Sequence, residues 1–196
     1  GAHTGEHLIN ELNSLVNKNC LLVEPVPYNF NKLKNNTKSF NHILYCSNAV
    51  SNVKETNKFY FVKESSIKKL GKHWASGIGS YNKKHILDHR YKRFKVEDKD
   101  IDNLEIKSIT FEDLIQEYSI SSIEKLQIDV EGFEYKIMSN INLDKIRIDK
   151  IVFEYKHFDG TFREGEKLDE IKKILSSKGY LLNKIDNENM LAEKKY

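Results

Sequence analysis

The stretch LQIDVEGFE, residues 126–134, contains the transition on which the fold depends. Leu126 and Ile128 continue an apolar pattern that predicts a buried strand. Gly132 then interrupts the pattern, and the next residues, EYKIM, have the spacing of a helix. A buried strand, a glycine turn and a helix in this order are typical of a parallel βα unit.

Working outward, the same alternation recurs along the chain. Strands are predicted at CLLVEP, HILYCSNAV, KFYFVK, IKSIT, KLQIDV and DKIVFEY. Helices are predicted at EHLINELNSLVNK, PYNFNKLKN, FEDLIQEY, EYKIMSNI and EKLDEIKKILSSKG, the last ending at Gly179. YLLNKI and MLAEKK predict a C-terminal antiparallel hairpin. The pattern therefore predicts an α/β fold with a mostly parallel sheet, helices on both of its faces and a closing hairpin.

The segment 64–103 departs from this rhythm, because it is polar and only SYNKKHILDHR within it predicts a short helix. We expect a single domain over 1–196, with a long insertion or substrate loop at about 64–103. His85 and His89 in this segment are four residues apart, a spacing that can bind zinc. Because no third ligand is evident, a solvated pair is the favoured interpretation.

Bulk properties exclude several classes of function. The net charge of +3 and the dispersed lysines argue against a nucleic-acid partner. No stretch approaches the roughly 18 apolar residues of a membrane span, and no signal peptide opens the sequence. Cys20 and Cys46 lie in apolar runs without metal-ligand spacing. A reducing, cytoplasmic setting is therefore expected.

A glycine turn and an acidic strand end suggest a nucleotide site. Gly1 and Gly5 directly precede a helix, where backbone N–H groups point towards a bound ligand. Glu24 ends a strand about 20 residues later, as does the acid that binds the ribose of a nucleotide in doubly wound folds. The full GxGxxG fingerprint of dehydrogenases is absent, since position 6 is Glu.

The blocks GAHTGEH, LVEPVPYNFNKL, NHILYCSNAVS, KLQIDVEGFEYKIM and KIVFEY are similar, in this order, to those of the FkbM family of S-adenosylmethionine-dependent methyltransferases. The resemblance implies a Rossmann-like class I fold with a further strand before Gly1, which this sequence lacks. It also implies the cofactor-binding residues Gly1, His3, Gly5, Glu24, Pro25, Asn48 and Ala49. The methionine part of the cofactor would lie along the glycine turn. Glu24 would bind the cofactor's ribose, and Asn48 with Ala49 would flank its adenine. His3 stands where the family often has a small residue or asparagine.

Four further residues are candidates for catalysis. Asp129 ends one predicted strand, and Glu131 would point to the same side if the strand continued. Glu154 ends the next parallel strand, with His157 three residues later. Because neighbouring strand ends converge, these residues are expected to share a cleft. Glu134 lies in a first helical turn, where it would complement the helix dipole.

Together these features predict an O-methyltransferase that acts on a hydroxyl of a sugar, glycan precursor or natural product. The cofactor would supply the methyl group and leave as S-adenosylhomocysteine, while a carboxylate or His157 would remove the hydroxyl proton. A divalent cation held by Asp129 with Glu154 or Glu131 is the less favoured alternative. A dehydrogenase-like Rossmann enzyme and a non-catalytic binding module of the same fold remain as rival functions.

Overall fold

The protein is built from short strands and mostly short helices. The computed structural model describes residues 1–15, 18–71, 73–89, 95–156, 158–160 and 164–195, with the backbone alone at 73 and 74. The helices within these residues are α1 (Ile9–Ser14), α2 (Pro27–Asn36), α3 (Glu64–Leu70), α4 (Lys83–Asp88), α5 (Phe111–Glu117), α6 (Glu134–Met138) and α7 (Glu166–Ser177). The strands are β1 (Cys20–Val23), β2 (Ile43–Cys46), β3 (Ala49–Ser51), β4 (Thr56–Val62), β5 (Gly79–Ser80), β6 (Ile101–Thr110), β7 (Ser122–Ile128), β8 (Arg147–Glu154), β9 (Tyr180–Lys184) and β10 (Asn189–Lys194).

Two compact units make up the chain. Unit 1 consists of Gly1–Ala49 and Glu55–Ser108, and unit 2 consists of Val50–Lys54 and Ile109–Tyr196. Each unit contains a parallel strand pair, β1–β2 in unit 1 and β7–β8 in unit 2. The prediction of one domain over the whole chain stays a prediction.

The parallel pair of unit 1 positions Glu24. Val23 lies opposite Cys46, so the residues that follow β1 and β2 leave the pair at the same edge. The Glu24 N–H extends the pairing by donating to the Cys46 carbonyl at 3.0 Å. Helix α2 then begins at Pro27, a position where the absence of an N–H costs nothing. It buries Leu33 completely, which anchors the helix in the core of unit 1.

Residues 64–103 contain more regular structure than the sequence pattern indicates. Besides α4, which confirms the helix predicted there, the described part has α3, a 3₁₀ helix at His73–Gly77, β5 and the start of β6. A sheet of order β3-β6-β4-β5 runs through this region, with β4 antiparallel to β5 and β6. Elements of two to seven residues are too short to show clear periodicity, and so the sequence did not reveal them. A role as a substrate loop stays a prediction.

The sheet of unit 2 has the order β7-β8-β10-β9, with β7 and β8 parallel. Strand β10 is antiparallel to β8 and β9, which confirms the predicted C-terminal hairpin. Helix α7 buries Leu168, Ile171 and Leu175, a spacing that places all three on one face. These residues belong to the same core as Ile151 and Phe153 of β8.

The predicted α/β class is confirmed, as an α/β fold with mixed sheets and several helices. Parallel pairing is present in β1–β2 and β7–β8, while antiparallel pairs make up the rest of the pairings in the described registers. Among the described residues, no helix has the length and apolar character needed to cross a membrane.

Candidate active site

The glycine turn at the start of unit 1 is packed tightly against α2. Gly5 has a φ of +73°, a left-handed conformation that favours glycine. A Cβ atom on Gly5 would lie 2.5 Å from Cδ1 of Leu33, so the site also excludes a side chain on steric grounds. The Ala2 N–H donates to the Val23 carbonyl at 2.8 Å and fixes the turn beside the end of β1.

His3 also adopts a left-handed conformation, with a φ of +51°. Its backbone N–H donates to Oε2 of Glu24 at 2.8 Å. Its ring nitrogen Nε2 forms a hydrogen bond of 2.5 Å with the Ser76 hydroxyl, in the 3₁₀ helix of the segment 64–103. His3, which differs from the small residue or asparagine often found there in the family, is therefore held at both its backbone and its ring.

Glu24 is buried at the end of β1, with 4% of its surface exposed. Besides the His3 bond, its Oε1 accepts the N–H of Val26 at 2.9 Å, directly before α2. Burial raises the pKa of this carboxyl, and the hydrogen bonds from Val26 and His3 oppose that effect. The carboxylate is thus fixed by the glycine turn on one side and by the helix start on the other.

The remaining cofactor candidates lie near the same strand ends, with different environments. Gly1 is exposed, and Pro25 is half-buried next to Glu24. The Asn48 amide donates to the Lys107 carbonyl at 3.0 Å, which ties the loop after β2 to β6. Ala49 packs into a core cluster with 5% of its surface exposed, so its contribution to a ligand site would come from its backbone.

In unit 2, β7 ends at Ile128, and the loop that follows turns sharply. Glu131 has a φ of +56° and Gly132 a φ of +97°, so the extended geometry does not continue past the strand. Strand geometry, the condition on which Asp129 and Glu131 were expected to point to the same side, therefore does not hold at Glu131. Two consecutive left-handed residues explain why the sequence has a glycine at 132.

The Glu134 side chain binds the backbone of this loop. Its side chain is fully buried, and its two oxygens accept the N–H groups of Val130 at 2.7 Å and Gly132 at 2.9 Å. Burial raises the pKa of Glu134 to about 8, helped by the nearby charges of Asp129 and Glu131. A structural role is therefore present, through bonds to the loop backbone.

Asp129, Glu134 and Glu154 form a carboxyl cluster, since one oxygen from each lies within 4.8 Å of the other two. Glu154, 7% exposed at the end of β8, has its pKa raised to about 9 by burial and then by the charges of Glu131, Glu134 and Asp129. A carboxyl group with a pKa of about 9 can accept and hold a proton at neutral pH. Carboxylate oxygens are also ligands for a hard cation such as Mg²⁺, and these three could hold one.

A family model described as the methyltransferase FkbM domain matches residues 1–182. The chain belongs to the FkbM methyltransferase family. The match includes the glycine turn, Glu24, the loop after β7 and the end of β8. Comparisons with curated proteins and with solved structures gave no significant match.

Within this methyltransferase the candidate residues fall into two groups. Unit 1 brings together the glycine turn and Glu24, and unit 2 brings together Asp129 and Glu154. His157 lies outside the described residues. His85 and His89 are buried with ring centroids 5.3 Å apart, so the interpretation as a solvated pair is wrong.

Sequence reasoning missed three participants. Glu134 was assigned to the helix dipole alone, although its place four residues after Val130 in a glycine-containing loop is a signal for a loop-closing carboxylate. The Asn29 side chain, from α2, lowers the pKa of Glu24, and Ser76, from the 3₁₀ helix, bonds to Asn29 and His3. Ser76 is 52 positions from Glu24 (76 − 24), and no local pattern could have linked the two.

Proposed function

We propose that the protein is an S-adenosylmethionine-dependent O-methyltransferase, acting on a hydroxyl of a sugar, glycan precursor or natural product. Membership of the FkbM family supports the methyltransferase activity. The cofactor, the oxygen acceptor and a Rossmann-like arrangement of the strands are part of the proposal. A cytoplasmic location and the absence of a nucleic-acid partner stay predictions from the sequence.

The observation that carries the cofactor assignment is the environment of Glu24. Its carboxylate is oriented by the N–H groups of His3 and Val26. Each carboxylate oxygen has two lone pairs, so capacity remains for the hydroxyl groups of a ribose. Because these two bonds hold the acid in place, little conformational entropy would be lost when the ribose binds. The glycine turn, with its backbone next to Glu24, would lie along the methionine part.

The chemistry requires a proton acceptor. When bound, the cofactor would supply the methyl group of its sulfonium. The bond between sulfur and this methyl group breaks, the sulfur keeps the electron pair, and S-adenosylhomocysteine is the leaving group. The acceptor hydroxyl forms the new C–O bond and loses its proton, and a carboxylate within hydrogen-bond reach can take that proton. Asp129 and Glu154 are the candidates, because they lie together at the ends of β7 and β8.

The raised pKa of Glu154, about 9, sets the expected direction of the pH dependence. A general base must be deprotonated before it can act, and at pH 7 a carboxyl with this pKa holds its proton. Turnover is therefore expected to increase as the pH rises from 7 towards 9. A pH profile that is flat over this range would argue against Glu154 as the base.

The test of the function is methyl transfer itself. Purified protein is incubated with S-adenosylmethionine and a panel of hydroxyl compounds, and products are identified by a mass gain of one methyl group with matching release of S-adenosylhomocysteine. Activity on hydroxyl acceptors supports the proposal. Binding of the cofactor without turnover on any class of acceptor favours the non-catalytic alternative, and binding of NAD in its place favours the dehydrogenase-like one.

A further inference from the structure

A ring of hydrogen bonds surrounds Glu24 in unit 1. His3 donates its backbone N–H to the carboxylate, and its ring is bonded to the Ser76 hydroxyl. Asn29 donates its amide to the Ser76 carbonyl at 2.7 Å, and its side chain also acts on the Glu24 carboxyl, whose pKa it lowers. Ser76 thus contacts both residues that hold Glu24, one through its side chain and one through its backbone.

The orientation of the Asn29 amide follows from its partners. The Ser76 carbonyl and the Glu24 carboxylate are both acceptors, so the NH₂ group must face them. The amide oxygen is then left buried, with no hydrogen-bond partner in the described part of the chain. Burial of an unsatisfied polar atom destabilises the folded state. Stability alone does not explain an asparagine here, whereas the need to hold Glu24 does.

The conformation of His3 points the same way. A left-handed φ is uncommon and unfavourable for a residue other than glycine. In this conformation the His3 N–H meets Glu24, and the Ser76 hydroxyl bond holds the ring. The Ser76 bond therefore stabilises a backbone geometry on which the position of Glu24 depends.

We propose that Ser76 is a positioning residue of the cofactor site, and that the 3₁₀ helix His73–Gly77 is part of that site. The proposal rests on the proposed function, in which Glu24 binds the cofactor ribose. Ser76 acts through His3 and Asn29, which in turn orient the carboxylate. The segment 64–103 would then contribute to cofactor binding as well as to any contact with the acceptor.

Ser76→Ala tests the bond between the Ser76 hydroxyl and the His3 ring, since it removes the hydroxyl and leaves the carbonyl that accepts the Asn29 amide. Loss of one hydrogen bond of about 1–1.5 kcal/mol corresponds to a dissociation constant for S-adenosylhomocysteine that is roughly 5–10 times higher. The KM for S-adenosylmethionine should rise by a similar factor, with kcat at saturation within about twofold. Ser66→Ala is the matched control, because Ser66 is a buried serine of unit 1 whose hydroxyl bonds to Asp100.

A double-mutant cycle separates positioning from a general loss of stability. His3→Asn keeps a residue type that tolerates a left-handed φ but removes the ring. If Ser76 acts through His3, the double variant should bind S-adenosylhomocysteine no more weakly than the weaker-binding of the two single variants. Ser76→Thr keeps the hydroxyl and should restore most of the affinity.

The outcomes distinguish the two proposals. Calorimetry in which the wild-type protein does not bind S-adenosylhomocysteine overturns the proposed function and this inference with it. If the wild-type protein binds and Ser76→Ala matches Ser66→Ala in affinity, the inference alone is wrong. Fully additive losses in the cycle would likewise show that Ser76 does not act through His3.

Discussion

Asp129 and Glu154 occupy equivalent positions at the carboxyl ends of two parallel, hydrogen-bonded strands. Ile128 of β7 pairs with Phe153 of β8. Asp129 directly follows Ile128 in the chain, and Glu154 directly follows Phe153. Their oxygens lie within 4.8 Å of one another, yet Asp129 is exposed and Glu154 is 7% exposed. The two carboxyl groups therefore have different surroundings, and burial with nearby negative charge raises the pKa of Glu154 to about 9.

Asp129→Asn and Glu154→Gln test this pair in catalysis. Removal of the group that accepts the proton should lower kcat by about 10²–10⁴, since that is the usual contribution of a general base. The affinity for S-adenosylhomocysteine, measured by calorimetry, should change by less than about twofold. Because the two acids act as a unit, the double variant should be little slower than the slower single variant.

Asp144→Asn is the control for that series, because Asp144 is an exposed acid of unit 2 whose partner is Lys178 at the surface. Its kcat should stay within about twofold of the wild-type value. Full activity in both the Asp129 and the Glu154 variants would show that the proton goes elsewhere.

The pH dependence of stability provides a second test at Glu154. Its pKa is about 9 in the folded protein and 4.5 in a model compound, so the folded state retains a proton that the unfolded chain loses. The stability contributed by this group is complete below about pH 4.5 and is lost as the pH rises through 9. Glu154→Gln should therefore melt higher than the wild type at pH 8.5, by about 2–4 °C per kcal/mol regained.

At pH 5 the same substitution should have little effect, since the wild-type carboxyl is protonated in the folded state. Thermal unfolding followed by circular dichroism at both values measures the difference. Equal shifts in melting temperature at pH 5 and pH 8.5 would mean that Glu154 is not the group that titrates.

Alanine substitutions at Gly5 and Gly71 distinguish the cost of backbone strain from the cost of a steric clash. Both have a left-handed φ, +73° and +67°, but a Cβ on Gly5 would meet Leu33 whereas one on Gly71 has nothing within 4 Å. Gly71→Ala should cost about 1 kcal/mol from strain alone. Gly5→Ala should cost a further 1–3 kcal/mol, because Leu33 or the turn must shift. Denaturant titration gives both values, and equal losses would show that the turn is looser than the packing indicates.

Removal of divalent cations tests the alternative role of the carboxyl cluster. A carboxylate base needs no metal, so turnover after dialysis against a chelator should equal that before it. Loss of activity that Mg²⁺ restores would instead mean that Asp129, Glu134 and Glu154 hold a cation that acidifies the acceptor hydroxyl.

Hydrophobic periodicity was sufficient to predict the elements that carry the site. The strands ending at Val23 and Ile128 and the helix beginning at Pro27 follow from apolar spacing and from proline at a first helical position. The positions of Glu24 and Asp129 at strand ends could therefore be predicted as well. These features depend on residues close together in the chain.

What could not be predicted depends on distant contacts or on backbone geometry. The left-handed φ of Glu131 ends the strand alternation, and no residue type at that position signals it. The burial of Glu134 arises only when the loop folds back over it. The bond between His3 and Ser76 joins residues 73 positions apart, and such pairs are decided by tertiary packing.

The central claim is that Glu24 binds the cofactor, and calorimetric titration with S-adenosylhomocysteine tests it most directly. The wild-type protein should bind one equivalent, and Glu24→Ala should bind at least about tenfold more weakly, because hydrogen bonds to a charged group contribute roughly 1.5–3 kcal/mol. Glu105→Ala, an exposed acid on β6 of the same unit, should match the wild type. A wild-type protein that shows no binding, or a Glu24→Ala variant that is folded and binds with unchanged affinity, would contradict the account.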